Sequence, residues 1–203
     1  MAILKHNNNS ISNVTSFAQI PAGEPVLLST ATASSSSSIS FNSTYINSDY
    51  KIYKFEFINI HPQTDNVFFQ FNLSTDNGSN YNVTKTTTAF DAYHNESDTY
   101  AGIAYQGGDD LAQSTGYQHL CQEIGADNDQ ANSGTLLLFN PSSSVFVKHF
   151  MSNFSSSKPD DFSINLFIAG YGNTTSAVNA INFQMTSGNI DAGQIKLYGI
   201  GAN

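Results

Sequence analysis

The chain has 203 residues, 39% of them hydrophobic and 11% charged, and its seven lysines and sixteen acidic residues give a formal charge of −9. That length allows one sizeable core, and an all-β domain of this size needs no second one. The negative charge opposes both the counterion release that drives binding to phosphates and attraction to anionic lipid, so neither nucleic acid nor membrane insertion is expected. Solubility falls to Ser, Thr, Asn and Gln, which are poor in helix interiors, and helix is not predicted to dominate.

Residues 1–25 carry no sustained helical or strand period. Asn7-Asn8-Asn9 offers little to bury, and Pro21 and Pro25 bracket Gly23 and bias their neighbours to extended backbone. Ile3, Leu4, Ile11, Val14, Phe17 and Ile20 make the segment rather apolar for a free tail, so an extended arm that docks on another protein is expected. Met1 to Leu4 is too short for the apolar stretch of a secretory signal and Lys5 to Asn13 is polar, which predicts folding in a cytoplasm.

Val26 to Ala33 is predicted as the first strand, Ser34 to Ser38 as a solvated low-complexity loop, and Ile39 to Phe41 as the start of a second strand. In Lys51 to Ile60, Tyr53, Phe55 and Phe57 share one face, and Pro62 stops the ladder. Val67 to Leu73 repeats the pattern, with Val67, Phe69, Phe71 and Leu73 on one side. The connection His61-Pro62-Gln63-Thr64-Asp65-Asn66 has hairpin length, so these two runs are expected to pair antiparallel. Asp76-Asn77-Gly78 is a turn, and Asn82 to Tyr93 a Thr-rich strand.

From His94 to Gly116 the alternation is lost among glycines, aspartates and tyrosines. The longest irregular stretch is expected there, and long loops on a rigid scaffold are where recognition concentrates. Tyr117 to Ile124 alternates again and holds Cys121, the sole cysteine, which excludes an intrachain disulfide and is expected to be a small buried apolar side chain. Thr135 to Asn140 and Val145 to Met151 flank an Asn-Pro-Ser turn, and Ile164, Leu166 and Ile168 alternate after a polar Ser155 to Asp161 loop. Val178 to Ile200 reads as a final pair of strands, with Ile181, Phe183 and Met185 before Ser187-Gly188-Asn189 and Ile195 and Leu197 after it. About ten short strands and no segment of 3.6-residue period predict an all-β fold: a jelly-roll-like antiparallel β-sandwich over residues 26–203 with an extended N-terminal arm over residues 1–25. A closed barrel is the alternative.

Catalytic patterns are not found. No Gly-x-Ser-x-Gly turn is present, Cys121 has no basic neighbour, and His6, His61, His94, His119 and His149 lack metal-ligand spacing, although His119 and His149 could face each other across sheets. Asp127-Asn128-Asp129 fails the EF-hand spacing at Ala131, and Gly107-Gly108 is not followed by Lys-Ser/Thr. No enzyme activity, cofactor or metal is therefore expected. The residue types that fit recognition are Tyr93, His94, Tyr100, Tyr105, Gln106 and Asp109, because aromatic faces pack on sugar C–H surfaces while amides and carboxylates take hydroxyls. They form the candidate receptor-binding loop.

The segments Leu28 to Ser34, Tyr50 to Phe57, Asn59-Ile60-His61-Pro62, Leu138-Phe139-Asn140-Pro141, Val147-Lys148-His149-Phe150 and Ala169-Gly170-Tyr171 share a further property with the ending from Ser187-Gly188-Asn189 through Lys196-Leu197-Tyr198-Gly199. Together they resemble small virion proteins of marine tailed bacteriophages, of the tail fibre or appendage type. The resemblance implies a virion location after assembly in the host cytoplasm, attachment to other virion proteins through the arm, and a homo-oligomer, with a trimer favoured. It also implies that the far loops meet a host surface, where the residue types of the candidate loop suit contact with a glycan. A capsid decoration or vertex protein and, less favoured, a carbohydrate-active enzyme are the alternatives. The resembling segments are scaffold motifs, so they speak to architecture before activity.

Overall fold

The computed structural model describes residues 24–202. Twelve strands make up its regular structure: β1 (Val26–Thr32), β2 (Ile39–Phe41), β3 (Tyr50–Pro62), β4 (Phe69–Ser74), β5 (Lys85–Asn95) and β6 (Ala101–Tyr105), then β7 (Gln118–His119), β8 (Asn132–Phe139), β9 (Lys148–Ser157), β10 (Phe162–Gly172), β11 (Ala180–Met185) and β12 (Ile190–Ala202). An eight-stranded sheet has the order β1-β12-β3-β8-β9-β10-β5-β6, and a four-stranded sheet the order β2-β11-β4-β7. Every strand pairing is antiparallel. The two sheets pack on each other in a sandwich-like arrangement. The residues forecast for the docking arm, Ile3, Leu4, Ile11, Val14, Phe17 and Ile20, lie outside the described residues.

Period-two burial explains how the sheets meet. Tyr53, Phe55 and Phe57 of β3, Leu136 and Leu138 of β8, Phe150 and Phe154 of β9, and Ile195 and Leu197 of β12 all point inward and are buried. They meet Phe41, Phe69, Phe71, Leu73, Ile181 and Phe183 of the smaller sheet. Phe183 is the centre of this contact. Its ring centroid lies 6.3 Å from Phe41, 5.3 Å from Phe55, 5.1 Å from Phe57, 6.0 Å from Phe69 and 6.4 Å from Phe71. Most of these pairs are edge-to-face, the arrangement that the ring quadrupole favours.

Two expected hairpins are absent, and the same contact gives the reason. The runs 51–60 and 67–73 do not pair, because β3 lies in the larger sheet and β4 in the smaller one, and their rings meet edge to face between the layers, with Phe57 and Phe69 5.6 Å apart. The C-terminal strands part in the same way: β11 sits between β2 and β4, while β12 sits between β1 and β3. Alternation shows that each strand has an apolar side, but a side can be buried across the sandwich as well as beside a neighbour. Gly188, with φ +71°, lets the chain turn from one sheet to the other.

Other boundaries move. β6 lies inside the stretch expected to be irregular; it is an edge strand whose Ala101, Ile103 and Tyr105 are exposed, so burial leaves no apolar alternation to read. The run 117–124 shrinks to the two residues of β7, beyond which Ile124 makes a single bridge to Val67. β9 begins later than expected and continues through Ser157, leaving Val145 and Phe146 exposed in the preceding turn. His149 points outward beside Tyr171, so it does not face His119. Cys121 is buried, as expected, and burial pushes its thiol up to about 12.

Gly193 marks a register shift between β12 and β3. Its φ is +116°, and a Cβ there would stand 2.5 Å from the Asn59 carbonyl oxygen, so only glycine fits the bulge.

Because Phe183 touches rings from both sheets, Phe183→Ala should cost about 3–5 kcal/mol of unfolding free energy. Urea denaturation followed by circular dichroism measures it, and a loss below about 1 kcal/mol would show that the cluster can collapse around the gap.

Candidate functional site

The residues of the expected receptor loop fall into two groups. Tyr93, His94 and Tyr100 lie at the turn that joins β5 to β6. Tyr93 is half-buried against Phe162, their centroids 6.3 Å apart, while His94 Nε2 lies 3.0 Å from Asp98 Oδ1. Asn95 ties this turn, accepting from the Thr99 and Tyr100 amides at 3.0 and 2.9 Å. Tyr100 is left exposed. Tyr105, Gln106 and Asp109 lie at the opposite end of β6, a strand of five residues. Tyr105 is on the outward face and donates to Asp110; that hydrogen bond to a carboxylate raises its pKa.

Gln106 and Asp109 instead line a cleft of about 290 Å³ with Phe68, Gly108, Gln122 and Glu123. Asp109 is buried and fixed from several directions. Its Oδ1 lies 2.8 Å from His119 Nδ1, and because an ionised carboxylate only accepts, the imidazole nitrogen is the donor. Gln122 Nε2 donates to its Oδ2 at 3.2 Å, and Gln118 Nε2 donates to its backbone carbonyl at 2.7 Å. Gln118 is in turn held by Thr87 Oγ1, which donates to its Oε1 at 2.7 Å. The His119 ring stacks on Phe68 with centroids 4.3 Å apart and planes at 21°. Gln106 donates to the buried Asp91 at 2.9 Å.

The cleft thus sets a ring pair beside fixed planar amides and carboxylates. That combination suits a polyhydroxylated ligand, whose C–H faces need an aromatic surface and whose hydroxyls need oriented acceptors and donors. Sequence reading found Gln106 and Asp109 but missed Phe68, His119, Gln122 and Glu123. Phe68 carries the available signal: it is a phenylalanine on the otherwise polar side of the 67–73 run.

A second polar feature lies along the inward side of β5. Lys85 is fully buried, its ammonium donating to Asn72 Oδ1 and, at 2.8 Å, to the Val83 carbonyl. Asn72 is itself buried and donates to the Tyr81 and Thr115 carbonyls at 2.7 and 2.9 Å. Burial pulls the Lys85 pKa down from 10.5 to about 7. Below pH 7 both folded and unfolded chains hold the proton. Between about 7 and 10.5 the unfolded chain holds more, so this group makes stability rise with pH. Cys121 acts in the opposite sense once the unfolded thiol ionises near pH 9.

The urea midpoint should therefore rise from pH 7 to about pH 8.5, and Lys85→Met should flatten that rise. An equal slope in both proteins would show that Lys85 is not its source.

No family model matches the chain, and no curated protein or solved structure matches it significantly.

Proposed function

We propose that this chain is a structural, non-enzymatic display module of a tailed-phage particle, of the tail fibre or appendage type, that contacts host surface glycans through the Phe68–Asp109–Gln122 cleft. The carrying observation is the cleft itself, where the Phe68 ring stands beside the fixed side chains of Asp109 and Gln122. The described chain enters at Val26, which pairs with Gly199 on the row of Tyr53 and Leu138. The β5–β6 and β9–β10 turns stand at the opposite end of the ladder, and Lys158 of the latter pairs at 2.8 Å with Glu123 of the cleft. The cleft lies between these ends, with Gln106 and Asp109 beside the end of β6 away from the turns and Glu123 reaching toward them.

The finer fold reading is a jelly roll with two inserted hairpins. With β5, β6, β9 and β10 set aside, the orders become β1-β12-β3-β8 and β2-β11-β4-β7. First then pairs with last, second with last but one, and so inward, as in a ribbon wound on itself. The segments that carry the phage resemblance fall mainly on β1, β3, β8, β9, β10 and β12 and their ends, which supports a shared scaffold. Trimeric assembly belongs to the same reading.

The isolated protein should bind on a glycan array, and Phe68→Ala or Gln122→Ala should weaken binding at least about tenfold. Tyr100→Ala reports separately on the hairpin turn. Particles that lack the protein yet adsorb to the host normally would overturn the reading, and a position on the head surface in a particle reconstruction would replace it with capsid decoration.

A further inference from the structure

The outward surface of the larger sheet is divided by charge. Its β12–β3 part carries Lys54, Glu56 and Lys196. Across β8, β9, β10, β5 and β6 the only residues with a formal charge are Lys85, Asp91 and Lys148, and all three are buried in the interior. The outward side of these five strands is therefore without formal charge in a chain whose net charge is −9. It is also apolar. Ile103 is 78% exposed, Tyr105 62%, Met151 56% and Phe90 46%, and Phe90 stacks on Phe167 with centroids 5.0 Å apart. Beside this ridge runs a groove of about 460 Å³ whose lining includes Phe139, His149, Met151 and Tyr171.

We infer that this uncharged face is the surface through which the chain binds a second copy of itself. Charge selects the partner. A basic partner would be met by exposed carboxylates, and the five strands offer none outward, Asp98 on His94 and Asp110 on Tyr105 standing only at the rim; two acidic copies repel each other least where neither presents charge. Area agrees. Five strands spaced about 4.8 Å apart and about 30 Å long cover on the order of 700 Å², close to the roughly 800 Å² that each partner contributes to a standard interface. Composition agrees as well, since aromatic residues and Met are enriched and charges depleted at interface centres. A ridge of Met151, Phe90 and Ile103 next to a groove gives one copy the shape to fill the other. The inference deepens the display reading by naming the surface for its self-assembly, and it rests on that reading for assembly but not for the glycan cleft.

Sedimentation velocity of the full chain at micromolar concentration should show a closed oligomer. Met151→Lys and Ile103→Lys, both at exposed positions, should each weaken it at least about thirtyfold, whereas Thr30→Glu on β1 should leave it unchanged. Far-UV circular dichroism verifies that the variants fold. In the wild-type chain, oxidation of Met151 by dilute peroxide should be several-fold slower at concentrations where the oligomer is complete than after dilution to monomer. A monomeric wild type, whatever covers the face, overturns the inference. So do charge variants that assemble as the wild type does, or Met151 oxidation that is indifferent to concentration.

Discussion

The packing of Phe183 against rings of both sheets is the constraint on which the rest of the molecule depends. Five phenylalanines from β2, β3 and β4 surround it, and they reach it only if the strands that carry them lie in opposite layers. The chain must then cross from layer to layer after β3 and again after β11. β3 and β4, and likewise β11 and β12, are therefore neighbours in sequence but not in a sheet. Close packing makes such an arrangement specific, because large rings in edge-to-face contact tolerate little change of angle or register.

A polar seam complements this apolar centre. β5 runs beyond the last strand of the smaller sheet, and its inward Lys85 and Thr87 bond to Asn72 of β4 and Gln118 of β7. Gln118 passes the connection to Asp109, and Asp109 to His119 and Gln122. Buried polar groups of this kind contribute little net stability, yet breaking one leaves its partners unsatisfied, so they fix where β5 and the 106–123 segment must sit. Lys148 is held in a similar way at the far side, donating to the Phe146 and Thr174 carbonyls at 2.6 and 3.3 Å.

The inserted hairpins give the molecule its distinctive surfaces. β9–β10 and β5–β6 widen one sheet to eight strands against the four of the other, with β9 packed on β4 and β5 on the polar seam. Their inward side closes over the polar seam and so shapes the Asp109 cleft. Among the described residues no sheet opposes their outward side, which carries the uncharged face and its apolar ridge. The proposed recognition and the inferred self-association use different surfaces, so a partner copy on the ridge would leave the cleft open.

Strand character was readable from residue type because alternation is a local consequence of the pleat: Tyr53, Phe55 and Phe57, or Ile195 and Leu197, must share a side whatever they pack on. The sequence by itself therefore determined the all-β class, most strand positions, and Cys121 as a buried thiol. It could not show β6, whose outward residues face solvent and leave no pattern, nor separate Phe68 from a core ring. Only the tertiary structure decided which strands pair, because a period of two names a side and not a neighbour. It also brought Phe68, Asp109 and Gln122 into one cleft with His119 packed against them, since contacts between residues tens of positions apart depend on the layer crossings that the phenylalanine cluster imposes.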